Sequence, residues 1–416
     1  MERLALLAIL ILAPHTKLPG TELAYLFRPA DLIIIFASLT LLRWSPTRPF
    51  TAAVAMLWYF AISMASTIWG VVFLHSQQLA TTVQEGAIVS YLPFAIKKLV
   101  LIATCFLGFQ FIAGSRAVRN EVLLQAWFTG LAIAVGFHVL CNVISDNYFV
   151  QRAGVFVEGN HGGSYYLLSF FLMWWSRQAG LSFARKGMFL AFTGILLTQS
   201  TTSLILIMPL SVIAYLVMLP PSRGRSVSAT TIALALLAVL VVAAVFGGEI
   251  MAKLTDEDVG SASFSRYDRL ASIASGMEMF LAYPWFGIGI QGYAFALPNY
   301  VDPFIETFFD WNSRRIANNI YVELLAEQGG IGISAMLLVL LRIGYPIFRH
   351  FRRHVLLCAA MLSVLLSWLA FPTYTISFHW IGLAMAYRLS VQGVTNPRTK
   401  CAANVGTNPQ DLAPLS

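Results

Sequence analysis

The sequence predicts an all-α fold: a polytopic transmembrane helix bundle of about 12 spans, with one large and partly helical loop outside the membrane. Three observations lead to this fold class. Of 416 residues, 58% are hydrophobic and 11% are charged, whereas soluble domains carry about 25% charged residues. Apolar runs of near-spanning length recur along the whole chain. Lys and Arg residues concentrate in every second connection between these runs. This composition excludes a soluble globule with a single anchor.

The predicted spans begin at the N-terminus. The charged start and apolar run of residues 1–13 resemble a signal peptide, but no small-x-small cleavage site follows, so we interpret them as a retained span. A hydrocarbon core needs roughly 20 apolar residues per helix. In chain order, the predicted spans are 3–14, 28–43, 52–74, 95–113, 121–143, 163–177, 187–199, 202–218, 228–247, 326–347, 354–372 and 375–390. The polar run 198–203 interrupts one apolar stretch, which predicts either a tight hairpin or a broken helix that lines a cavity.

The charge pattern predicts that both termini lie in the cytoplasm. With the N-terminus inside, every cytoplasmic connection contains Lys or Arg, and the alternation is unbroken. These residues make up 17 of the 27 cations, namely Arg3, Arg43, Arg48, Arg116, Arg119, Arg177, Arg185, Lys186, Arg223, Arg225, Arg342, Arg349, Arg352, Arg353, Arg388, Arg398 and Lys400. The formal net charge of +8 therefore follows from positive-inside bias rather than from nucleic-acid binding.

The predicted domains follow the spans. Residues 1–247 form the first nine spans and residues 328–390 the last three, while 391–416 form a polar tail that we expect to be disordered in the cytoplasm. Residues 248–327 form the one long loop, which lies outside. Loops of this length are usually functional or disordered, and the aromatic content of this one predicts an ordered cap.

An amphipathic helix is predicted within this loop. Apolar residues recur at helical spacing from Tyr267 to Leu281, and Pro284 provides a stop. We expect this helix to lie on the membrane surface, with Arg266 and Arg269 in its first turns.

Cations on the predicted outer face are the strongest functional candidates. Arg152, Arg266 and Arg269 carry guanidinium groups, which bind phosphate oxygens bidentately and stay charged. The alternative for any arginine near a membrane is snorkelling to the headgroups. Lys97 and Lys98, at the outer start of the fourth span, either snorkel or help to hold a lipid pyrophosphate. Arg314 and its neighbour Arg315 either face the substrate or belong to a solvated loop.

The histidines differ in their predicted surroundings. His138 and His379 lie within spans, where lone histidines are usually packed and hydrogen-bonded. His161 is expected to be exposed on the outer face, and it is the one histidine to test as a base.

Two further patterns imply neither a cofactor nor a metal. Gly287-Ile288-Gly289-Ile290-Gln291-Gly292 matches GxGxxG, but a helix and a proline precede it instead of a strand, so we interpret it as a glycine-rich turn. The four cysteines show no CxxC pair and no zinc spacing, and we interpret them as small buried apolar residues. They are Cys105, Cys141, Cys358 and Cys401.

Three blocks, in order, resemble the O-antigen ligase and polymerase superfamily of bacterial envelope polysaccharide assembly. The first is Arg152-Ala153-Gly154-Val155-Phe156 with Asn160 and Gly163, which is similar to the family's Arg-x-x-Gly-Phe followed by Asn. The second is Arg269 with Pro284-Trp285-Phe286-Gly287-Ile288-Gly289, similar to its Arg and Pro-x-x-Gly-x-Gly block. The third, residues 319–332, resembles its His-Asn-x-Tyr-Leu and Glu-x-Gly-x-x-Gly segment. The topology matches along nearly the whole chain.

The resemblance implies metal-independent glycan transfer from an undecaprenyl-pyrophosphate carrier on the periplasmic face of the inner membrane, with Arg152 and Arg269 engaging the pyrophosphate. In the family's ligases a histidine activates the acceptor hydroxyl of lipid A-core. Asn318 falls at that position here, and asparagine cannot accept a proton at neutral pH. This departure favours a polymerase, whose acceptor is another lipid-linked repeat unit. The candidate bases are then Glu158, Asp268, Asp310 and Glu323, although Glu323 is more simply interpreted as a residue that orients helix packing.

These inferences define the expected site and function. The expected catalytic residues are Arg152, Arg269, Asn318 and Glu158. The expected substrate-binding residues are Arg266, Asn160, His161, Asn319, Tyr321, Arg314 and Arg315. The predicted function is polymerisation of an O-antigen or exopolysaccharide, and ligation to lipid A-core is the nearest alternative. A flippase or other transporter of the same lipid-linked glycan is an alternative of a different class, although transporters are often built from two similar halves and the sequence shows no such repeat. The resemblance alone also implies a flippase and a chain-length regulator as partners.

Overall fold

The chain forms a bundle of long helices in the computed structural model. The structure describes residues 1–18, 28–41, 50–84, 87–219, 261–300, 317–371 and 374–392, with the backbone alone at 39–41, 50, 82–84, 87–89 and 261–269. The first nine helices are α1 Glu2–Leu12, α2 Pro29–Leu41, α3 Phe50–Ser76, α4 Tyr91–Gly114, α5 Asn120–Ile144, α6 Tyr148–Ala153, α7 Gly159–Gln178, α8 Ala184–Thr198 and α9 Thr201–Met218. The others are α10 Ser261–Ala282, α11 Tyr293–Ala296, α12 Ile320–Arg349, α13 Phe351–Ser367 and α14 Ser377–Gln392.

The predicted class, a helical membrane bundle, is confirmed. Eleven of the predicted spans coincide with helices, and the twelfth, 228–247, lies outside the described residues. Within the described part of the chain, six helices are long and apolar enough to cross a membrane. The span count of 12 is not confirmed, because α1, α2, α8 and α14 have only 11, 13, 15 and 16 residues.

One small β-hairpin departs from the all-α prediction. Strand β1, Thr81–Gln84, pairs antiparallel with β2, Ala87–Ser90, and Thr81 lies opposite Ser90. The hairpin connects α3 to α4 and leads directly into the first turn of α4. The β-branched residues of this segment suit a strand, but the run is too short to change the fold class.

Helix α7 lies at the centre of the bundle. It packs against α8, α13 and α9, and most of its side chains are buried. The predicted interruption at 198–203 is confirmed, since α8 ends at Thr198, the following Gln199 has a left-handed conformation (φ 47°), and α9 starts at Thr201. Both helices pack on α7, and in addition α8 packs on α5 and α9 packs on α13. The break therefore lets each of the two short helices contact a further helix of its own.

Most of the described connection between α13 and α14 is buried within the bundle, although Leu369 is exposed. Trp368, Phe371, Tyr374 and Ile376 are each at most 1% exposed. We call residues 368–371 and 374–377 the central connection. It lies near the end of the bundle where α4, α7 and α12 begin, which we call the site end.

The glycine-rich turn and the third sequence block pack against each other through their backbones. Helix α12 is broken at Gly329 (φ 64°, ψ −164°). Ile288 N donates to Ala326 O at 2.9 Å, Gly289 N to Glu327 O at 2.9 Å, and Gly330 N to Pro284 O at 2.7 Å. These bonds satisfy the backbone groups that the break releases inside the bundle. The interpretation of GxGxxG as a structural turn is confirmed.

Candidate functional site

Arg152 is held at the site end by hydrogen bonds to backbone carbonyl groups. It lies in the last turn of α6, and its Nε donates to Thr198 O at 3.2 Å while Nη2 donates to Gln199 O at 3.4 Å. The guanidinium also stacks on the ring of Tyr148, 5.3 Å from the ring centre. No described side-chain carboxylate pairs with Arg152. Its charge is therefore fixed in place but not neutralised, as an anion-binding group requires.

The start of α7 faces the same guanidinium. A Cβ added to Gly159 would lie 3.4 Å from both Nε and Nη2 of Arg152. The N-cap residue Glu158 is exposed and makes no side-chain capping bond. The first amide groups of a helix have no partner within that helix and carry partial positive charge. Arg152 and the first turn of α7 thus present positive potential to one surface.

Asn160 ties this turn to the interruption between α8 and α9. Its Oδ1 accepts a hydrogen bond from Ser200 Oγ at 3.2 Å, and Ser200 Oγ lies 3.3 Å from Ser203 Oγ. The polar run that separates the two helices therefore serves to hold the first sequence block. Asn160 has a structural partner, and its predicted substrate contact stays a prediction.

The loop after Arg152 is fixed by the segment that follows α1. Val155 O accepts from Thr16 N at 3.0 Å and from Lys17 N at 3.1 Å, and Val157 N donates to Thr16 Oγ1 at 3.0 Å. Lys17 is 2% exposed. Burial lowers the pKa of the neighbouring His15, which favours its neutral form. The burial of Lys17 was not predicted, because a single lysine after a first span is common at membrane surfaces.

The expected exposure of His161 is wrong. Its side chain is 6% exposed, and its ring stacks on Phe371 of the central connection at 4.9 Å. One turn further along α7, Ser164 Oγ lies 2.7 Å from Nε2 of His379, and Trp368 Nε1 donates to Nδ1 of the same ring at 3.2 Å. The helical periodicity of α7 turns His161 inwards. Its role as a base stays untested, but it is not a surface group.

The expected packing of His138 and His379 is confirmed. His138 is fully buried, with Nδ1 3.3 Å from the hydroxyl of Tyr166. His379 has the two partners described above. Three of the cysteines are also buried as predicted, namely Cys105, Cys141 and Cys358.

Arg28 is a second cation whose contacts the sequence does not indicate. Its Nη1 donates to Thr375 O at 2.7 Å and to Ser377 Oγ at 3.5 Å, and it lies 3.8 Å from Asp31 Oδ2. It precedes α2 and reaches across to the central connection. A single arginine before an apolar run gives no sign of a contact 347 residues away along the chain.

The head of α12 brings together Asn318, Asn319 and Tyr321. Asn318 has a left-handed backbone (φ 53°), which asparagine adopts more readily than most residues. Asn319 is the N-cap, and its Oδ1 accepts from Tyr321 N at 3.0 Å and Val322 N at 3.2 Å. The Tyr321 hydroxyl donates to Leu365 O at 2.8 Å. The last two residues therefore have structural contacts, which leaves their predicted contact with substrate untested.

Lys98 and Glu323 form an ion pair buried in the bundle. They are 5% and 4% exposed, and the ammonium of Lys98 also lies 5.0 Å from the centre of the Tyr374 ring. Lys98 therefore does not snorkel to the headgroups. Glu323, in the first turn of α12, contacts α4 through this pair, and the choice between a base and a packing residue stays untested.

The remaining candidates lie outside what the structure describes in full. Helix α10 confirms the predicted helix in the long loop, and Arg266, Asp268 and Arg269 fall in its first turns, where the backbone alone is described. Asp310, Arg314 and Arg315 lie outside the described residues. Arg152 is consequently the one arginine among the expected site residues whose contacts can be given.

Residues 187–337 match the family model described as O-Antigen ligase. This match over part of the chain supports the resemblance to the O-antigen ligase and polymerase superfamily. The matched region contains the second and third sequence blocks and excludes the first. No curated protein shows significant sequence similarity to the chain. The family indicates ligase- or polymerase-type transfer of glycans, with lipid-linked glycans as substrates, by a multi-pass membrane protein.

Proposed function

We propose that this protein polymerises a bacterial surface polysaccharide on the periplasmic face of the inner membrane. It transfers a glycan from undecaprenyl pyrophosphate to a second lipid-linked repeat unit. The combination of two residues carries the proposal: Arg152 has no carboxylate partner among the described side chains, and Asn318 stands where the resemblance implies the histidine of the family's ligases. The first supplies a site for a pyrophosphate, and the second removes the base on which ligases of the family depend.

For this transfer the protein must mainly supply positive charge and hold the two substrates in position. The acceptor hydroxyl oxygen attacks the anomeric carbon of the donor sugar, the bond from that carbon to the pyrophosphate oxygen breaks, and the pyrophosphate leaves on the undecaprenyl chain. Fixed cations stabilise the negative charge that develops on the leaving group. Arg152 and Arg269 have this role in the proposal, and Arg266, Arg314 and Arg315 add charge around the same carrier.

The acceptor proton needs a carboxylate. Glu158 is the best-supported candidate because it is exposed and immediately precedes the turn of α7 that faces Arg152. Glu323 is less suitable, since Lys98 occupies its carboxylate within the bundle. Asn318 would orient the acceptor hydroxyl through its amide, with Asn160, Asn319 and Tyr321 near the sugar.

Ligation to lipid A-core is the second candidate, and the description of the matched family favours it. A ligase without the histidine would need another base for the same hydroxyl, and Glu158 could serve there too. The two activities differ in the acceptor, so they are separated by products rather than by the pyrophosphate site.

Transport of the lipid-linked glycan is supported by one feature, the break in α12 beside buried charged residues. Transporters use broken helices of this kind to bind ions or substrates. Here, however, the backbone groups at the break bond to residues 284–289. The backbone groups at the break are thus satisfied within the protein and not by a transported substrate. Polymerisation remains the better-supported function.

Deletion of the gene in the source bacterium separates the three functions. We expect single repeat units to accumulate, on lipid A-core or on the carrier lipid. Long polymer left on undecaprenyl pyrophosphate beside bare lipid A-core would instead establish a ligase, and repeat units confined to the cytoplasmic leaflet would establish a transporter. Complementation with Arg152→Ala should restore less than about 1% of the polymer, because loss of one fixed donor to a developing anion costs roughly 100-fold or more.

A further inference from the structure

The outer part of α12 is a separate short helix. It runs from the N-cap Asn319 to the break at Gly329, and Asn318 is joined directly to its head. Because residues 320–328 form one helical unit, the side chains that hold this unit also help to hold Asn318 at its head. We call this unit the α12 head segment.

Three side chains anchor the α12 head segment to α13, α3 and α4, in addition to Glu327, whose Oε1 accepts from Tyr293 N of α11 at 3.5 Å. The Tyr321 hydroxyl donates to Leu365 O of α13 at 2.8 Å. Gln328 Nε2 donates to the Tyr59 hydroxyl of α3 at 2.9 Å. Glu323 pairs with Lys98 of α4. The first two anchors are neutral hydrogen bonds, and the third is an ion pair.

Burial of this ion pair costs free energy, because both charged groups lose their contact with water. Both side chains are about 95% buried, and charged groups inside a membrane bundle are usually functional. Buried ion pairs contribute little net stability compared with well-packed apolar residues, but removal of one partner leaves an uncompensated charge. A gain in net stability therefore does not account for this pair.

We propose that Lys98 and Glu323 are positioning residues for transfer: their ion pair fixes the α12 head segment, and with it Asn318, against the site end. This inference rests on the proposed function, in which Asn318 faces the acceptor. It assigns Lys98 to the acceptor side, whereas sequence analysis left open a direct contact with the pyrophosphate. Lys98 acts through Glu323 and does not touch the carrier.

Charge exchange distinguishes positioning from direct contact. The variants are Lys98→Met, Glu323→Gln and the double variant Lys98→Glu/Glu323→Lys, with Lys186→Met as the control because Lys186 is exposed at the start of α8. Polymer length is measured in the deletion strain, and binding of undecaprenyl pyrophosphate is measured by native mass spectrometry on the purified full-length protein. Detergent size-exclusion profiles check folding.

We expect each single variant to reduce polymer about tenfold or more, as displaced positioning groups do, while Lys98→Met binds undecaprenyl pyrophosphate within about twofold of the unchanged protein. The double variant should recover most of the polymer, because it restores an ion pair between the same helices. Recovery also shows that the single variants did not simply fail to fold.

Two results would overturn the proposal. One is loss of undecaprenyl-pyrophosphate binding in Lys98→Met without recovery in the double variant, which would place Lys98 on the carrier. The other is normal polymer in both single variants. Failure of the proposed function itself has a different signature, namely that the unchanged protein does not bind undecaprenyl pyrophosphate at all.

Discussion

Gly159 sets the distance between Arg152 and the first turn of α7. An added Cβ would lie 3.0 Å from Thr198 O and 3.4 Å from the Arg152 nitrogens Nε and Nη2. Gly159→Ala should therefore shift the guanidinium by a few tenths of an ångström and lower polymer formation about tenfold, since misplaced binding groups slow transfer strongly. Polymer yield in the deletion strain measures this effect.

Gly136→Ala is the matched control for this substitution. Gly136 lies in α5, and an added Cβ there would meet nothing within 4 Å. Its variant should keep full activity and, because alanine favours helices, equal or higher thermal stability. Equal activity of the two alanine variants would show that the position of Arg152 relative to α7 is unimportant.

The geometry of Arg152 also predicts that lysine cannot replace it. Its Nε and Nη2 bond to two carbonyl oxygens while the planar group stacks on Tyr148. A lysine has one charged nitrogen and no planar face. It cannot keep both carbonyl bonds and the stacking on Tyr148 while it also binds an anion. Arg152→Lys should weaken binding of undecaprenyl pyrophosphate nearly as much as Arg152→Ala does, in native mass spectrometry. Near-normal binding by the lysine variant would show that only the positive charge of Arg152 matters, and not the planar geometry of its guanidinium group.

Some of the site residues could be predicted from the sequence, and others could not. Arg152 was predictable because arginine chemistry suits phosphate and its block resembles a family pattern. Its partners Thr198 and Gln199 were not, because they contribute backbone carbonyls that any residue type could supply. His161 was placed at the surface because its polar neighbours suggested a loop, whereas the first turn of α7 includes them and turns the ring onto Phe371.

At the scale of elements, the N-cap of α12 gives a prediction about stability. Asn319 Oδ1 accepts bonds from Tyr321 N and Val322 N, and loss of such a cap costs about 1 kcal/mol. Asn319→Ala should lower the thermal unfolding temperature, while Asn319→Asp keeps the acceptor oxygen and should unfold like the unchanged protein. Normal stability but lost polymer in Asn319→Asp would show that the amide group contacts the substrate as well.

The contact between the glycine-rich turn and the break in α12 gives a second prediction. Gly287 has φ 63°, and an added Cβ would lie 2.4 Å from Glu327 C. Gly287→Ala combines an unfavourable backbone conformation with a clash against main chain that cannot move aside, at a cost of about 3 kcal/mol or more. We expect a lower yield of folded protein and earlier thermal unfolding, relative to Gly136→Ala. A Gly287→Ala protein as stable as that control would contradict the close backbone contact.

Helices were predictable from the sequence, whereas their interruptions were only partly so. An apolar run in a bilayer must satisfy its backbone internally, so each predicted span that the structure describes became helix. The break at 198–203 was found because polar residues mark it. The break at Gly329 was missed, although Glu327 and Gln328 precede it and Gly330 follows it, because the groups that compensate it come from residues 284–289, some 40 positions earlier.

The molecule as a whole is organised around contacts that local patterns cannot indicate. Arg388 was assigned to the cytoplasmic cations, yet it is 2% exposed and donates to Asn120 Oδ1 at 2.6 Å, Ile112 O at 2.9 Å and Val118 O at 2.5 Å. It therefore holds the end of α14 against α4 and α5. The central connection likewise joins α2, α3, α4, α7 and α12 through side chains far apart in sequence. Charge counting supplied the predicted orientation of the bundle, but not these contacts.

That orientation leads to the last prediction. Asp146 is exposed after α5 at the site end, and Ala117 is exposed between α4 and α5 at the opposite end. Three native cysteines are buried, so a Cys401→Ser background leaves single introduced thiols as the reactive ones. With the site end facing the periplasm, a membrane-impermeant maleimide should label Asp146→Cys in intact spheroplasts and Ala117→Cys only after permeabilisation. The reverse pattern would place Arg152 and the α12 head segment in the cytoplasm, where a flipped carrier lipid is not presented, and polymerisation at the periplasmic face would no longer be tenable.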